Sequence, residues 1–248
     1  RALHANHLLS NASIVVAFIG DEESAGRPIS ISRRELMKHA KQSDVLLDFE
    51  SGPVSLGRRG ISKWALTTRG TQQHSSIIFQ PEVGNGAIFE VARMLREFEY
   101  ELSHTKNLTV NPSIVLGGST LAFNEETNQG TVSGKHNVVA KEALALGDLR
   151  YISDTQKRET EQKMQHIVEK YATKHPARIV FNDLMPPMPP MPGNVELLSL
   201  MKRINHLVTN QPLEILAPGL RGGGDISHIA HLAPAGLVGL GPVGAEEH

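Results

Sequence analysis

ISKWALTTRG, residues 61–70, has the apolar and polar alternation of a strand with one buried face. The segments beyond it decide the architecture. Residues 85–102 carry Ile88, Val91, Leu95, Phe98 and Leu102 at three- and four-residue spacing, which predicts an amphipathic helix. Residues 108–123 (LTVNPSIVLGGSTLAF) and 137–152 (NVVAKEALALGDLRYI) read as two strands joined by a polar, glycine-containing loop. Asp154 stands where a helix cap belongs, ahead of Met164, Ile167, Val168 and Tyr171, and residues 177–183 (ARIVFND) make a last strand. The order β-α-β-β-α-β is that of a ferredoxin-like unit.

The flanks have a different rhythm. Residues 2–9 read as helix, and residues 13–19 (SIVVAFI) as a β-branched run short enough for a buried parallel strand. Ser32, with Glu35 as its capping-box partner, predicts a helix to about Lys41, and residues 44–50 (DVLLDFE) read as the next strand. Helix and strand in alternation point to an α/β layer fold. Beyond the ferredoxin-like unit, MPPMPPMPGN (residues 185–194) reads as a stiff linker rather than a proline-rich recognition segment. A helix over residues 195–208 and a strand-like LEILAP (residues 213–218) then restore the α/β rhythm. The expected organisation is an α/β domain, residues 1–60 and 183–248, interrupted by a separate lid, residues 61–182.

Composition narrows the function classes. Lys plus Arg (25) nearly cancels Asp plus Glu (26), so no overall field favours nucleic acid or an anionic membrane. The default partner is a small or neutral molecule. The absence of cysteine excludes disulfides, thiolate metal sites and a cysteine nucleophile, so a metal would have to use His and carboxylate. No apolar stretch approaches the roughly 18 residues of a membrane helix, and no signal peptide is visible. The compartment stays open between cytoplasm and periplasm. RALHANHLL at the start reads as mid-helix and GPVGAEEH at the end follows a glycine-rich turn, which suggests part of a longer protein.

FIGDEESAG (residues 18–26) crowds Asp21, Glu22 and Glu23 directly after the first predicted strand, and Glu50 closes the next. Three adjacent carboxylates repel unless a cation or solvent absorbs the charge. In α/β sheets ligands bind outside the carboxyl ends of strands, so both acidic groups can face one rim. RGGGDISHIAHLAP (residues 221–234) sets three glycines before an apparent helix, where backbone N–H groups can approach an anion, but it matches neither a P-loop nor GxGxxG. His228 and His231, and likewise His4 and His7, are three apart; without HExxH or a nearby carboxylate pattern they read as core-edge or solvent-facing residues rather than ligands.

Taken in order, FIGDEESAGRP, LLDFESG, GRRGISKWALTTRGTQQHSS, HNVVAKEALALGDLRYI, GGGD and GLVGLGPVGAEEH resemble the di-zinc carboxypeptidase and aminoacylase family, which includes glutamate carboxypeptidases and succinyl-diaminopimelate desuccinylase. The resemblance spans essentially the whole chain. It implies a zinc-peptidase-like α/β catalytic domain with an inserted lid that mediates dimerisation. It assigns Glu22 as the general base that deprotonates a metal-bridging water, and Glu23, Glu50 and His248 as metal ligands, with Asp48 a rival to Glu50. His74 matches the lid histidine that reaches the partner subunit's site to support the tetrahedral intermediate. Asn137 and Arg150 match residues that grip the substrate carboxylate, and Gly222, Gly223 and Gly224 match the substrate-binding turn. Asp21 receives no role beyond orienting a neighbour or capping the turn.

The implied activity is hydrolysis of an amide bond next to a carboxylate, on a small peptide or N-acyl amino acid, by a homodimer using two divalent ions, zinc first and cobalt or manganese as rivals. The alternative is a binding or dimerisation module without turnover. The family pattern also calls for an upstream His-x-Asp and a bridging Asp, and neither precedes the DEE motif here.

Overall fold

The computed structural model describes residues 5, 7, 10–22, 26–172 and 174–242. Two short helices, α1 (Ile29–Ser32) and α2 (Arg34–Ala40), lead into β1 (Val45–Leu47). Next come β2 (Gly60–Arg69), α3 (Gly86–Leu102), β3 (Thr109–Gly118), β4 (Thr120–Asn124), β5 (Gln129–Ser133), β6 (Glu142–Tyr151), α4 (Asp154–Tyr171) and β7 (Ala177–Met185). The described chain ends with α5 (Pro192–Thr209) and β8 (Ala235–Leu237).

Four strands hydrogen-bond in the order β3-β6-β2-β7, all neighbours antiparallel. Each long helix carries the chain over one intervening strand: α3 takes β2 past β6 to β3, and α4 takes β6 past β2 to β7. This is the ferredoxin-like arrangement. Both helices bury one stripe against the sheet, in a core of Trp64, Leu66, Val91, Met94, Phe98, Met164 and Ile167. Trp64 meets Phe98 edge to face at 6.0 Å, a geometry that adds about 0.5–1.5 kcal/mol beyond burial. Val91, Phe98 and Leu102 are buried as their spacing predicts, but the stripe is completed by Ala87 and Met94, and Ile88 faces outward.

A polar network ties α4 to this sheet. Ser62 Oγ donates to Asp183 at 2.7 Å and lies 3.1 Å from Tyr151 Oη, while Lys157 pairs with the same Asp183. Burial pushes Asp183 up, yet the hydrogen bonds from Lys157 and Ser62 and the charges of Lys157 and Arg27 together outweigh it and hold the carboxyl below its ordinary value. A depressed carboxylate stabilises the fold above its unfolded pKa and loses that contribution as pH falls. Unfolding followed through Trp64 fluorescence is therefore expected to show a loss of stability below about pH 4, and Asp183→Asn should flatten that part of the profile. An identical profile in the variant would remove Asp183 from this role.

Several expectations are corrected. The cap of α4 is Ser153, whose side chain accepts from Gln156 N, rather than Asp154. Residues 108–123 are not one strand: the chain leaves the sheet after Gly118, where a Cβ would lie 2.6 Å from Ser133 O, and folds into a β4–β5 hairpin. Ser32 ends α1 and caps nothing, and Glu35 pairs with Lys38 at 3.3 Å. Met185–Asn194 is more than a linker, because Met188 is fully buried and exchanges both backbone hydrogen bonds with Arg58, at 2.9 and 3.0 Å.

The α/β part is small in the described residues. β1 pairs in parallel with β8, and two compact clusters hold it, one around Met188, Ile226 and Val238 and one around Val54, Leu198 and Leu237. The predicted strand over residues 13–19 has no hydrogen-bonded strand neighbour among the described residues and leaves Phe18 95% exposed. A parallel strand needs partners to bury both faces, which composition alone does not provide. The predicted strand over residues 213–218 reduces to one bridge, Val54 to Ile215. The helix expected after the glycines is instead two 3₁₀ turns, Asp225–His228 and Ala230–Leu232. The helix expected over residues 2–9 falls mostly outside the described residues. No helix of the described residues is long and apolar enough to cross a membrane.

Candidate functional site

The acidic rim begins where β1 ends. Asp48 N donates to Leu237 O at 2.9 Å and Gly241 N to Glu50 O at 3.1 Å, so residues 48–50 continue along the chain that leaves β8. The two acids differ in side-chain exposure, Asp48 at 20% and Glu50 at 44%. Between them lies the buried guanidinium of Arg58, which donates to Asp48 Oδ2 at 2.9 Å and pairs with Glu50. Its Nε donates to Gly222 O at 2.9 Å, joining the acidic strand end to the glycine loop. Burial lowers Arg58, with Asp48 and Glu22 pulling it back, and burial raises Asp48 ahead of the attraction of Arg58. Desolvation thus outweighs mutual attraction in this pair.

A second buried arginine, Arg33, binds the same loop at Asp225. Arg33 donates from Nε to Asp225 Oδ1 at 2.8 Å, and from Nη1 to both oxygens of Asp21 at 2.9 and 3.1 Å. Burial, ahead of the attraction of Asp225, lowers His228. Among the described residues, buried Arg221 Nε, Asp225 Oδ2 and Ser227 Oγ have no hydrogen-bond partner.

Close approach requires two of the three glycines. At Gly224 a Cβ would collide with Arg58 and lie 2.8 Å from Glu50 Oε2; at Gly223 it would meet Met185 and Ile61, while Gly222 opens onto free space. Ile61 pairs with Arg150 across the sheet, so Arg150 sits at the end of β6 nearest this loop. There its Nε donates to Asp148 at 2.8 Å.

His74 and Asn137 lie at the other end. Ser75 N donates to Asn137 O at 2.9 Å, His74 bridges Val138, and His74 Nδ1 accepts from Ser76 N at 3.2 Å. The ten residues of β6 separate this pair from Arg150 by about 30 Å. Glu22, Glu50, Gly222, Gly223 and Gly224 therefore gather around Arg58, His74 and Asn137 form a second group, and Asn137 and Arg150 cannot grip one carboxylate within a single chain. Glu23 and His248 lie outside the described residues.

Among the described residues no three His, Cys, Asp or Glu side chains assemble a metal site. The donor chemistry nevertheless suits a divalent cation: Glu50 supplies carboxylate oxygens and is the outward-facing acid of the pair, whereas Asp48 is held inward by Arg58. Arg33, Arg58 and Asp225 were not assigned from sequence. The available signal was the demand of the acidic cluster for cations together with two arginine doublets, SRRE and GRRG.

Residues 56–176 match the peptidase dimerisation domain of the M20 family. No curated protein matches the chain. Among solved structures, the aminopeptidase PepT of Bacillus cereus superposes with a TM-score of 0.64 at 15% identity over 88% of this chain and 53% of its own. A tripeptidase of Staphylococcus aureus gives 0.63 at 16% identity, over 89% and 53%. A hydantoinase/carbamoylase family amidase of Burkholderia ambifaria gives 0.52 at 16% identity, over 78% and 46%. The chain thus spans about half the length of these relatives in fold. Residues 56–176 carry a peptidase dimerisation domain of the M20 type, and the chain around it shares the fold of these peptidase and amidase structures.

Proposed function

We propose that the chain is part of a metal-dependent hydrolase that cleaves an amide bond beside a carboxylate and works as a homodimer through its lid. Glu50 would hold a divalent metal together with Glu23 and His248. When bound, the metal would supply Lewis-acid activation of water and of the scissile carbonyl. Glu22 takes the proton of the attacking water and returns it to the leaving amine. Arg150, beside the glycine loop, binds the substrate carboxylate as a charge-assisted pair. His74 donates to the developing oxyanion and Asn137 positions the substrate, both from the second copy. The substrate class is a peptide with a free C-terminal residue or an N-acyl amino acid.

The observation that carries this reading is the split along β6: two groups of polar residues, each incomplete, at opposite ends of one strand. In the same domain, Phe79 and Phe89 meet at a 50° tilt with ring centroids 5.7 Å apart while remaining 62% and 52% exposed. Phe79 adopts φ 75°, an outlier for a bulky residue that favours a role over accident. An apolar pair held outward in a dimerisation domain suits contact with a second copy.

Subunit mixing tests the reading. Glu22→Gln and His74→Ala homodimers are each expected to be inactive, and reassorted subunits should recover about a quarter of wild-type activity, because half of the dimers then hold one intact site. No recovery in verified heterodimers would show that His74 does not serve across the interface. No turnover and no metal in the wild-type protein would leave a binding or dimerisation module.

A further inference from the structure

We infer that Arg33 is the positioning residue of the acidic turn, tying Glu22 to the glycine loop through Asp225; the role of Glu22 rests on the hydrolase reading, but the tie does not. Among the described residues, 12–19 form no helix or strand, and Asp21 takes side-chain hydrogen bonds from Arg33. Arg33 reaches Asp21 from the junction of α1 and α2. Its guanidinium is 3% exposed and binds three points at once: Asp225 Oδ1 through Nε, both oxygens of Asp21 through Nη1, and the Asp21 carbonyl through Nη2 at 3.3 Å.

That geometry requires the rigid planar fork of arginine, because a lysine ammonium is a single point charge that cannot span two carboxylates and a carbonyl in fixed directions. Asp225 follows Gly224 in the same loop that Arg58 grips at Gly222 O. The glycine loop is therefore clamped at both ends, by Arg58 to Asp48 and Glu50 and by Arg33 to Asp21. Both acidic segments take their position from one loop, which would keep a base on one segment in register with a metal ligand on the other. A misplacement of about 1 Å at such a site costs about a hundredfold in rate.

The test uses the full chain carrying Arg33→Lys and, separately, Asp21→Asn. Because the Asp21 side chain is about half exposed, its isosteric replacement leaves the fold intact and keeps the test valid if Arg33→Lys unfolds. The first readout is 15N backbone relaxation, independent of activity: order parameters of residues 20–22 are expected to fall below about 0.6 in both variants with β2 and β6 unchanged. Unchanged order parameters in residues 20–22 would overturn the tie. The second readout is kinetic. Where the wild type turns over an amide substrate, kcat should fall about 10–100-fold with KM nearly constant. Lowered order parameters with unaltered kcat would overturn the positioning of Glu22. Lowered order parameters in a protein whose wild type shows no turnover would uphold the tie and reject the hydrolase reading.

Discussion

Glu22→Gln is expected to lower turnover of amide substrates about a hundred- to ten-thousand-fold, the range lost when a general base is removed. The substitution keeps shape and hydrogen-bonding capacity but removes the proton acceptor. Glu22 is partly buried and its charge acts on Arg58, so the neutral amide also tests whether that charge matters for folding. It should not, since Asp48 and Glu50 both remain on the guanidinium. Bound metal measured by elemental analysis should be unchanged, because Glu22 is assigned as a base and not as a ligand. Retained turnover would remove Glu22 from the mechanism, and loss of metal would reassign it as a ligand. Glu50→Gln should behave in the opposite way, losing metal and turnover together.

Arg58→Ala is expected to destabilise the α/β part by about 3 kcal/mol, the lower end for breaking a buried ion pair, since Asp48 retains some exposure. The cost comes from the partner left behind. Burial already raises Asp48 with Arg58 in place, and without Arg58 the carboxylate keeps its desolvation and loses its counter-charge. The loop would loosen as well, since Gly222 O loses its donor. Because desolvation outweighs attraction on both sides, removing the two charges together should be nearly neutral: Arg58→Met with Asp48→Leu is expected to recover most of the lost stability while leaving Glu50 without its partner. Urea denaturation of the single and double variants measures this, and equal loss in both would show that the pair itself is a net stabiliser.

The lid was legible because each of its elements buries one face on a common core. The two-residue period of β2 and the three-to-four spacing of α3 and α4 are direct imprints of that burial. Where the structure departs, the cause is contact distant in sequence. The β4–β5 hairpin depends on the backbone of Gly118 approaching Ser133, and residues 13–19 have the composition of a buried strand but no ladder beside them. The acidic rim was visible as local crowding, and crowded carboxylates do demand a cation. The cation that the described structure supplies is an arginine, however, and a tie such as Arg33 to Asp225, 192 residues apart, leaves no periodic trace. Nor does the sequence show that Asp48 is the more buried of the two acids and Glu50 the more exposed.

The reciprocal hydrogen bonds between Arg58 and Met188 set the two crossings of the lid side by side, with Cα atoms about 5.5 Å apart as in any bonded antiparallel pair. A two-residue turn closes such a gap. The intervening stretch is thus a cassette: it can be excised and replaced by Asn-Gly without stretching the host, and it can be grafted onto another protein wherever two neighbouring backbone positions face solvent.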